Sequence, residues 1–204
     1  GVDFSRADPG SSWTFEGRPV PYAGSSIGLI EIRHGGRARV AEPSVGRMVE
    51  QVGETMKHLL ANSPASLENL KEARATIERE MARIAARRRS EGDILRLSEV
   101  LAEQEAAIAD LPKFRALDGR FHREIAGISG NPIFTALIDG VFRWLSDFHG
   151  ELVSVPGLEN LTIAEHREIL AAIARGDAEA AGAAMGDHLM RANELYRRSN
   201  LTRS

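Results

Sequence analysis

Phe114, Leu117, Phe121, Ile125 and Ile128 recur every three or four residues with polar positions between them, which predicts an amphipathic helix with one buried face. The same period runs from Ser44 almost to the C-terminus. Val45, Met48, Val49, Val52, Met56, Leu59 and Leu60 make a first stripe, closed by Asn62-Ser63-Pro64. A second helix is expected after Ser66, carrying Leu67, Leu70, Ile77, Met81 and Ile84 to the basic run Arg87-Arg88-Arg89, which reads as a solvated helix end. Ser90-Glu91-Gly92-Asp93 has the form of a capping box and opens a third helix through Ile94, Leu97, Leu101 and Ile108. Pro112 starts the fourth, and Gly130-Asn131-Pro132 breaks it. A fifth passes through Ile133, Leu137, Val141, Trp144, Leu145 and Phe148 and ends at Val155-Pro156-Gly157. Thr162-Ile163-Ala164-Glu165 reads as another capping box with Leu161 as its staple residue, and Gly176 as a stop. Asp177 then caps a last helix through Ala181, Met185, Leu189, Ala192 and Leu195. Six or seven helices joined by short links predict an all-α antiparallel bundle over residues 44–200.

Residues 1–43 follow a different pattern. Pro9, Pro19, Pro21 and Pro43 are interleaved with seven glycines, and the first 26 residues show neither helical nor strand periodicity. Order is expected at Ile27–Arg33 and Arg37–Val40, two short strands around His34-Gly35-Gly36 that predict a β-hairpin over 27–40. Arg33, Arg37 and Arg39 put positive charge near its tip. They suit either a wing that reaches DNA or an ordinary surface hairpin with solvated charges.

Composition narrows the options. With 204 residues the chain can bury a sizeable core, and 43% hydrophobic and 27% charged residues are those of an ordinary soluble globular protein. The net charge of −3 argues against a generally basic nucleic-acid coat, and the absence of cysteine excludes disulfides, thiolate metal sites and cysteine nucleophiles. No apolar run approaches a membrane span and the first residues lack a signal-peptide core, so the expected compartment is the cytoplasm.

Candidate chemistry collects on the helices. Asp118 and His122 are four residues apart, so their side chains stack one turn above the other and can share a cation or form a hydrogen-bonded pair. His166, expected in the first turn of its helix, and His188, in the middle of the last, both lie close to apolar stripes. One carboxylate and three imidazoles from different helices of a bundle suit zinc, nickel or manganese. Arg74 sits beside the stripe of Leu70, Ile77 and Met81, one turn before Glu78. An arginine so placed needs a partner, either Glu78 or a ligand carboxylate.

Asp118-x-x-x-His122, Gly130-Asn131, Glu165-His166 with Ile169–Ile173 and Gly176-Asp177 behind it, and Met185-x-x-His188-Leu189 resemble the effector domain of FadR-type GntR regulators, the FCD domain. The likeness runs from about Ser44 to Tyr196. Gly28–Arg33 and Gly36–Val40 resemble the last strands and wing of the winged helix that precedes such domains. Within the family, Gly36–Val40 with Pro43-Ser44, and Gly130–Phe134, look most like the sialic-acid-responsive repressors.

The resemblance implies a DNA-binding homodimer that responds to a small carboxylate at a metal-containing pocket. Carried over by position, Asp118, His122, His166 and His188 would be the metal ligands, and Arg74 would meet the effector carboxylate with Glu78 nearby. Arg37 and Arg39, with Arg33 beside them, would contact operator DNA. The Gly/Pro/Ser-rich segment before Ile27 does not read as the recognition helix that a winged helix requires.

Two other functions fit the same residues. A metal-dependent hydrolytic enzyme would use the open coordination position to activate water, with His149 and Glu165 as the nearby candidate bases. A ligand-binding module without DNA binding would need only the pocket. The expectation is a regulator and not an enzyme.

Overall fold

The computed structural model describes the backbone of residues 13–15, 18–20, 30–31, 39–40, 45–149 and 158–201, and most side chains of 45–145 and 158–192. Two compact units divide the chain, Gly1–Glu54 and Thr55–Ser204, with the division inside the first helix.

In the first unit, β1 (Trp13–Phe15) pairs antiparallel with β2 (Arg18–Val20), and β3 (Ile30–Glu31) pairs antiparallel with β4 (Arg39–Val40). The β1–β2 ladder corrects the expectation that the first 26 residues are irregular throughout. Strands of three residues are too short to display an alternation. The β3–β4 ladder lies within the hairpin expected over 27–40, with Glu31 opposite Arg39. Arg33 and Arg37 lie outside the described residues, as does the side chain of Arg39.

Among the described residues the chain forms seven helices: α1 (Val45–Asn62), α2 (Pro64–Arg88), α3 (Glu91–Ala106), α4 (Leu111–Gly127), α5 (Pro132–His149), α6 (Leu158–Arg175) and α7 (Ala178–Leu201). Most boundaries have a visible chemical cause. Ser63 caps α2, its hydroxyl accepting from the Ser66 amide at 3.2 Å, so the helix starts at Pro64 and not after Ser66. Ser90 and Asp93 form the reciprocal capping box of α3. Asp110 caps α4 ahead of Pro112, accepting from the Lys113 amide at 3.2 Å. Gly130 and Gly176 take positive φ values, 71° and 76°, at the turns that end α4 and α6. Asp177 caps α7 by accepting from the Ala180 amide at 3.0 Å.

Three expectations need correction. First, α6 begins at Leu158, so Thr162–Glu165 lies inside the helix and caps nothing, and His166 falls beyond its first two turns. Second, the apolar stripe of α1 is not buried as one face: Val49 and Leu60 are buried, but Val52 and Leu59 are 43% and 48% exposed. Third, the arginine run is not simply a solvated end. Arg88 donates to the Ser129 carbonyl at 2.6 Å, and Arg89 donates to Ala86 at 2.9 Å and to Ala174 at 3.2 Å. These guanidinium groups satisfy carbonyls that helix C-termini leave unpaired. The expected stop at Val155–Gly157 lies outside the described residues.

In the second unit α2 is the central helix, packed against α4, α5, α6 and α7, while α3 packs on α4 and α6. Ala82, Ala85 and Ala86 of α2 and Ala181 of α7 are almost wholly buried, and such small residues let two helices approach closely. Leu97, Phe121, Ile125, Ile138, Ile169, Ile173 and Met185 complete one continuous core. No helix among the described residues is long and apolar enough to cross a membrane.

Candidate metal and ligand site

The apolar faces of α4, α6 and α7 turn three histidines inward with them. His122 sits next to Phe121, His166 between Ile163 and Ile169, and His188 beside Leu189, and all three are buried. Their ring centroids lie 5.3 Å (His122–His166), 5.2 Å (His122–His188) and 4.8 Å (His166–His188) apart. Phe121 stacks on His166 with 4.2 Å between centroids and so fixes the plane of that ring. With Asp118, one turn before His122, these residues offer four ligand atoms that all lie within 4.8 Å of one another. The structure thus brings together all four residues singled out in the sequence.

Each imidazole is held from behind by an acceptor on another helix. His122 Nδ1 meets Glu78 of α2 in a short hydrogen bond. His166 Nδ1 lies 2.9 Å from Oε1 of Gln104 on α3, and His188 Nδ1 lies 2.7 Å from Oε2 of Glu165 on α6. His122 therefore takes Glu78, and not Asp118, as its carboxylate partner. A ring whose Nδ1–H is bonded in this way keeps its lone pair on Nε2. The Nε2 atoms of His122 and His166 are buried without a hydrogen-bond partner, a state that costs free energy in a protein interior.

Burial favours the neutral ring at His166 and His188. Burial pushes His166 well below its ordinary range, and the neighbouring cations and imidazoles push it the same way. Burial also lowers His188, against the opposing pull of Glu165. Neutral imidazole is the form that binds metal. Burial alone would raise Glu78, but His122 and Arg74 outweigh it and hold the carboxyl at about 2. Glu165 is likewise raised by burial, yet ends lowered through its hydrogen bonds to His188 and Arg191. Unpartnered Nε2 atoms at His122 and His166, neutral rings at His166 and His188, and the three Nδ1 contacts suit a divalent transition metal.

Arg74 is buried on the same face of α2 as Glu78. Its Nε donates to Glu78 Oε1 at 2.5 Å, and its guanidinium carbon lies 4.2 Å from the centroid of Phe142, a cation–π contact. The sequence left Glu78 and a ligand carboxylate as alternative partners of Arg74, and the Glu78 pair is present. Glu78 thereby joins Arg74 to His122.

Sequence reasoning passed over Gln104 and Arg191 as site residues and read Glu165 as a helix cap or a candidate base, not as the partner of His188. Arg191 makes a two-pronged contact with Glu165, which in turn holds His188. Gln104 carried a signal that could have found it. It stands on the stripe of Leu97, Leu101 and Ile108, where a polar residue must find internal partners.

The FCD domain, as a family, matches residues 69–191. The HTH-type transcriptional repressor NanR of Edwardsiella tarda is 31% identical over 164 residues, covering 79% of this chain and 63% of that protein. NanR of Cronobacter sakazakii is 30% identical with the same coverage. The chain therefore spans 63% of the length of these curated relatives. Among solved structures, E. coli McbR/YncC aligns with a TM-score of 0.60 at 17% identity, covering 85% of this chain and 79% of that one. Streptococcus agalactiae GntR aligns with a TM-score of 0.58 at 22% identity, covering 83% and 76%. At these identities the two structures establish a shared fold alone.

Proposed function

The chain belongs to the FCD domain family, and on that premise we propose that it is the ligand-sensing part of a GntR-type transcriptional regulator. Its signal would be a small carboxylate, bound at a metal held by Asp118, His122, His166 and His188. One observation carries this reading: three buried imidazoles, each pinned through Nδ1, converge on a carboxylate within 4.8 Å. A hydrogen-bonded core would not leave the buried Nε2 atoms of His122 and His166 without partners. The donor set suits zinc, with nickel or manganese as alternatives.

When bound, such a metal supplies a Lewis-acidic position that can take a ligand carboxylate. The protein's own residues prepare that position. Glu78, Gln104 and Glu165 orient the rings, Phe121 and Phe142 keep it apolar, and Arg74 adds a buried positive charge beside His122. A sugar acid such as N-acetylneuraminic acid is the first candidate effector, followed by hydroxy acids and dicarboxylates. The regulator would work as a homodimer. An effector that binds one dimer geometry better than another shifts the spacing of two DNA-binding heads, with Arg33, Arg37 and Arg39 as proposed operator contacts.

Elemental analysis of purified protein, wild type beside His122→Ala, tests the site. The expected result is about one transition metal per chain, lost in the variant, since structural sites of this kind bind tightly at neutral pH. Metal-free wild type, prepared without chelator and exposed to zinc, would sink the reading. Binding to an operator-like duplex that weakens with salt and changes with the carboxylate then tests the regulator itself.

A further inference from the structure

Gln104 has no exposed surface and sits on α3, a helix that supplies none of the four proposed ligands. Its Oε1 lies 2.9 Å from His166 Nδ1, and its Nε2 lies 3.4 Å from Asp118 Oδ1. An amide has one accepting end and one donating end, whereas a carboxylate only accepts. The end that faces Asp118 must therefore be the NH2 group, which turns the carbonyl toward His166. Nδ1 of His166 must then carry the ring proton, and Nε2 is left as a bare lone pair. That nitrogen lies 3.4 Å from Asp118 Oδ1 and has no hydrogen-bond partner.

Two acceptors facing each other at this distance with no proton between them repel, and a cation close to both removes the repulsion. A competing arrangement is close at hand. If the ring proton moved to Nε2, His166 could donate to Asp118, but its bare Nδ1 would then face the Gln104 carbonyl oxygen.

We propose that Gln104 is the positioning residue that prevents this collapse, using the acceptor-only character of Asp118 to lock His166 as its Nδ1–H tautomer. The lock presents Asp118 and His166 together as open ligands. It also accounts for the residue type: His122 and His188 are backed by Glu78 and Glu165, but a glutamate at 104 would face the Asp118 carboxylate. This inference rests on the metal reading given above.

The test uses the full 204-residue chain, treated with chelator, at neutral pH. Two-bond 15N–1H correlations of the His166 ring are recorded for wild type and for Gln104→Met, which keeps the volume and removes both polar ends. Zinc affinity is measured on the same samples by competition with a chromophoric chelator. The expected result is Nδ1–H in wild type, Nε2–H in the variant, and a loss of zinc affinity of about 10- to 100-fold. An Nε2–H tautomer in the wild type overturns the proposal, as does a variant with unchanged tautomer and affinity. Should Gln104→Met not fold, the wild-type spectrum still decides the tautomer, and Gln104→Glu supplies the affinity comparison. Wild type that takes up no zinc overturns the metal reading separately, while the tautomer measurement still decides the role of Gln104.

Discussion

Glu78 and His122, 44 residues apart in sequence, are joined by a short hydrogen bond in the core, and the other oxygen of Glu78 accepts from Arg74 at 2.5 Å. A fully buried carboxylate thus sits between a proposed metal ligand and a proposed effector contact. Glu78→Ala leaves Arg74 without this counter-charge and His122 free to rotate. The expected cost is about 3 kcal/mol of stability, the scale of breaking a buried ion pair. Metal affinity should fall about 10- to 100-fold as well. Denaturant melts and chelator competition read the two effects, and unchanged metal affinity would show that Glu78 serves packing alone.

Arg74→Ala separates the ligand from the metal. If Arg74 meets a carboxylate effector, the variant should keep its metal while its affinity for N-acetylneuraminic acid, or for whichever acid of a calorimetric panel binds wild type, falls at least tenfold. A charge-assisted contact is worth about 1.5–3 kcal/mol, which corresponds to that loss. Arg74→Lys should rescue only in part, because an ammonium cannot copy the guanidinium fork or its contact with Phe142. Simultaneous loss of metal and ligand would instead make Arg74 a structural support of Glu78.

Gly176 tests the end of α6. Its φ of 76° is unfavourable for any residue with a Cβ. An added Cβ would also lie 2.6 Å from Nη2 of Arg89, the guanidinium that caps the Ala174 carbonyl. The side-chain end can give way; the backbone conformation cannot. Gly176→Ala should therefore cost about 1–2 kcal/mol, visible as a lower denaturation midpoint. A neutral result would mean that the turn relaxes to negative φ.

The α3 cap carries a pH signature. Hydrogen bonds from the Ser90 hydroxyl and amide, ahead of any contribution from Arg96, hold the Asp93 carboxyl below its ordinary value of 3.8. A carboxyl lowered in the folded state stabilises the protein above the ordinary value, and that stabilisation is lost as pH falls through the folded one. Ser90→Ala should cost about 1 kcal/mol at pH 7. The gap between variant and wild type should narrow in acid, below pH 3.8. A gap that does not change with pH would point to the hydroxyl alone and exclude the carboxylate.

What the sequence made legible follows from how local each signal is. Ser90-x-x-Asp93, Asp110 ahead of Pro112, Gly130 and Gly176 act within one turn, and each was readable in place, except that Pro112 and not Asp110 carried the start of α4. Thr162-x-x-Glu165 has the same local form and misled. Glu165 has stronger partners in His188 and Arg191, which lie 23 and 26 residues away and reach it only after α6 and α7 pack. The four candidate ligands emerged because histidines near apolar stripes are conspicuous. The groups that hold them were harder to see, since a glutamine or glutamate on a helix carries no sign of which distant ring it will meet.

The burial of the ligand set has a kinetic corollary. His122, His166 and His188 retain at most 4% exposure and come from three separate helices. Asp118, the fourth proposed ligand, keeps 24% of its side chain exposed, so an ion seated here would meet solvent on that side and would have to part from three buried rings to leave. Metal exchange would then be far slower than the arrival and departure of a small metabolite. On the proposed reading, the metal would be a fixture on the timescale of a transcriptional response, and the chain would report the metabolite concentration of the moment.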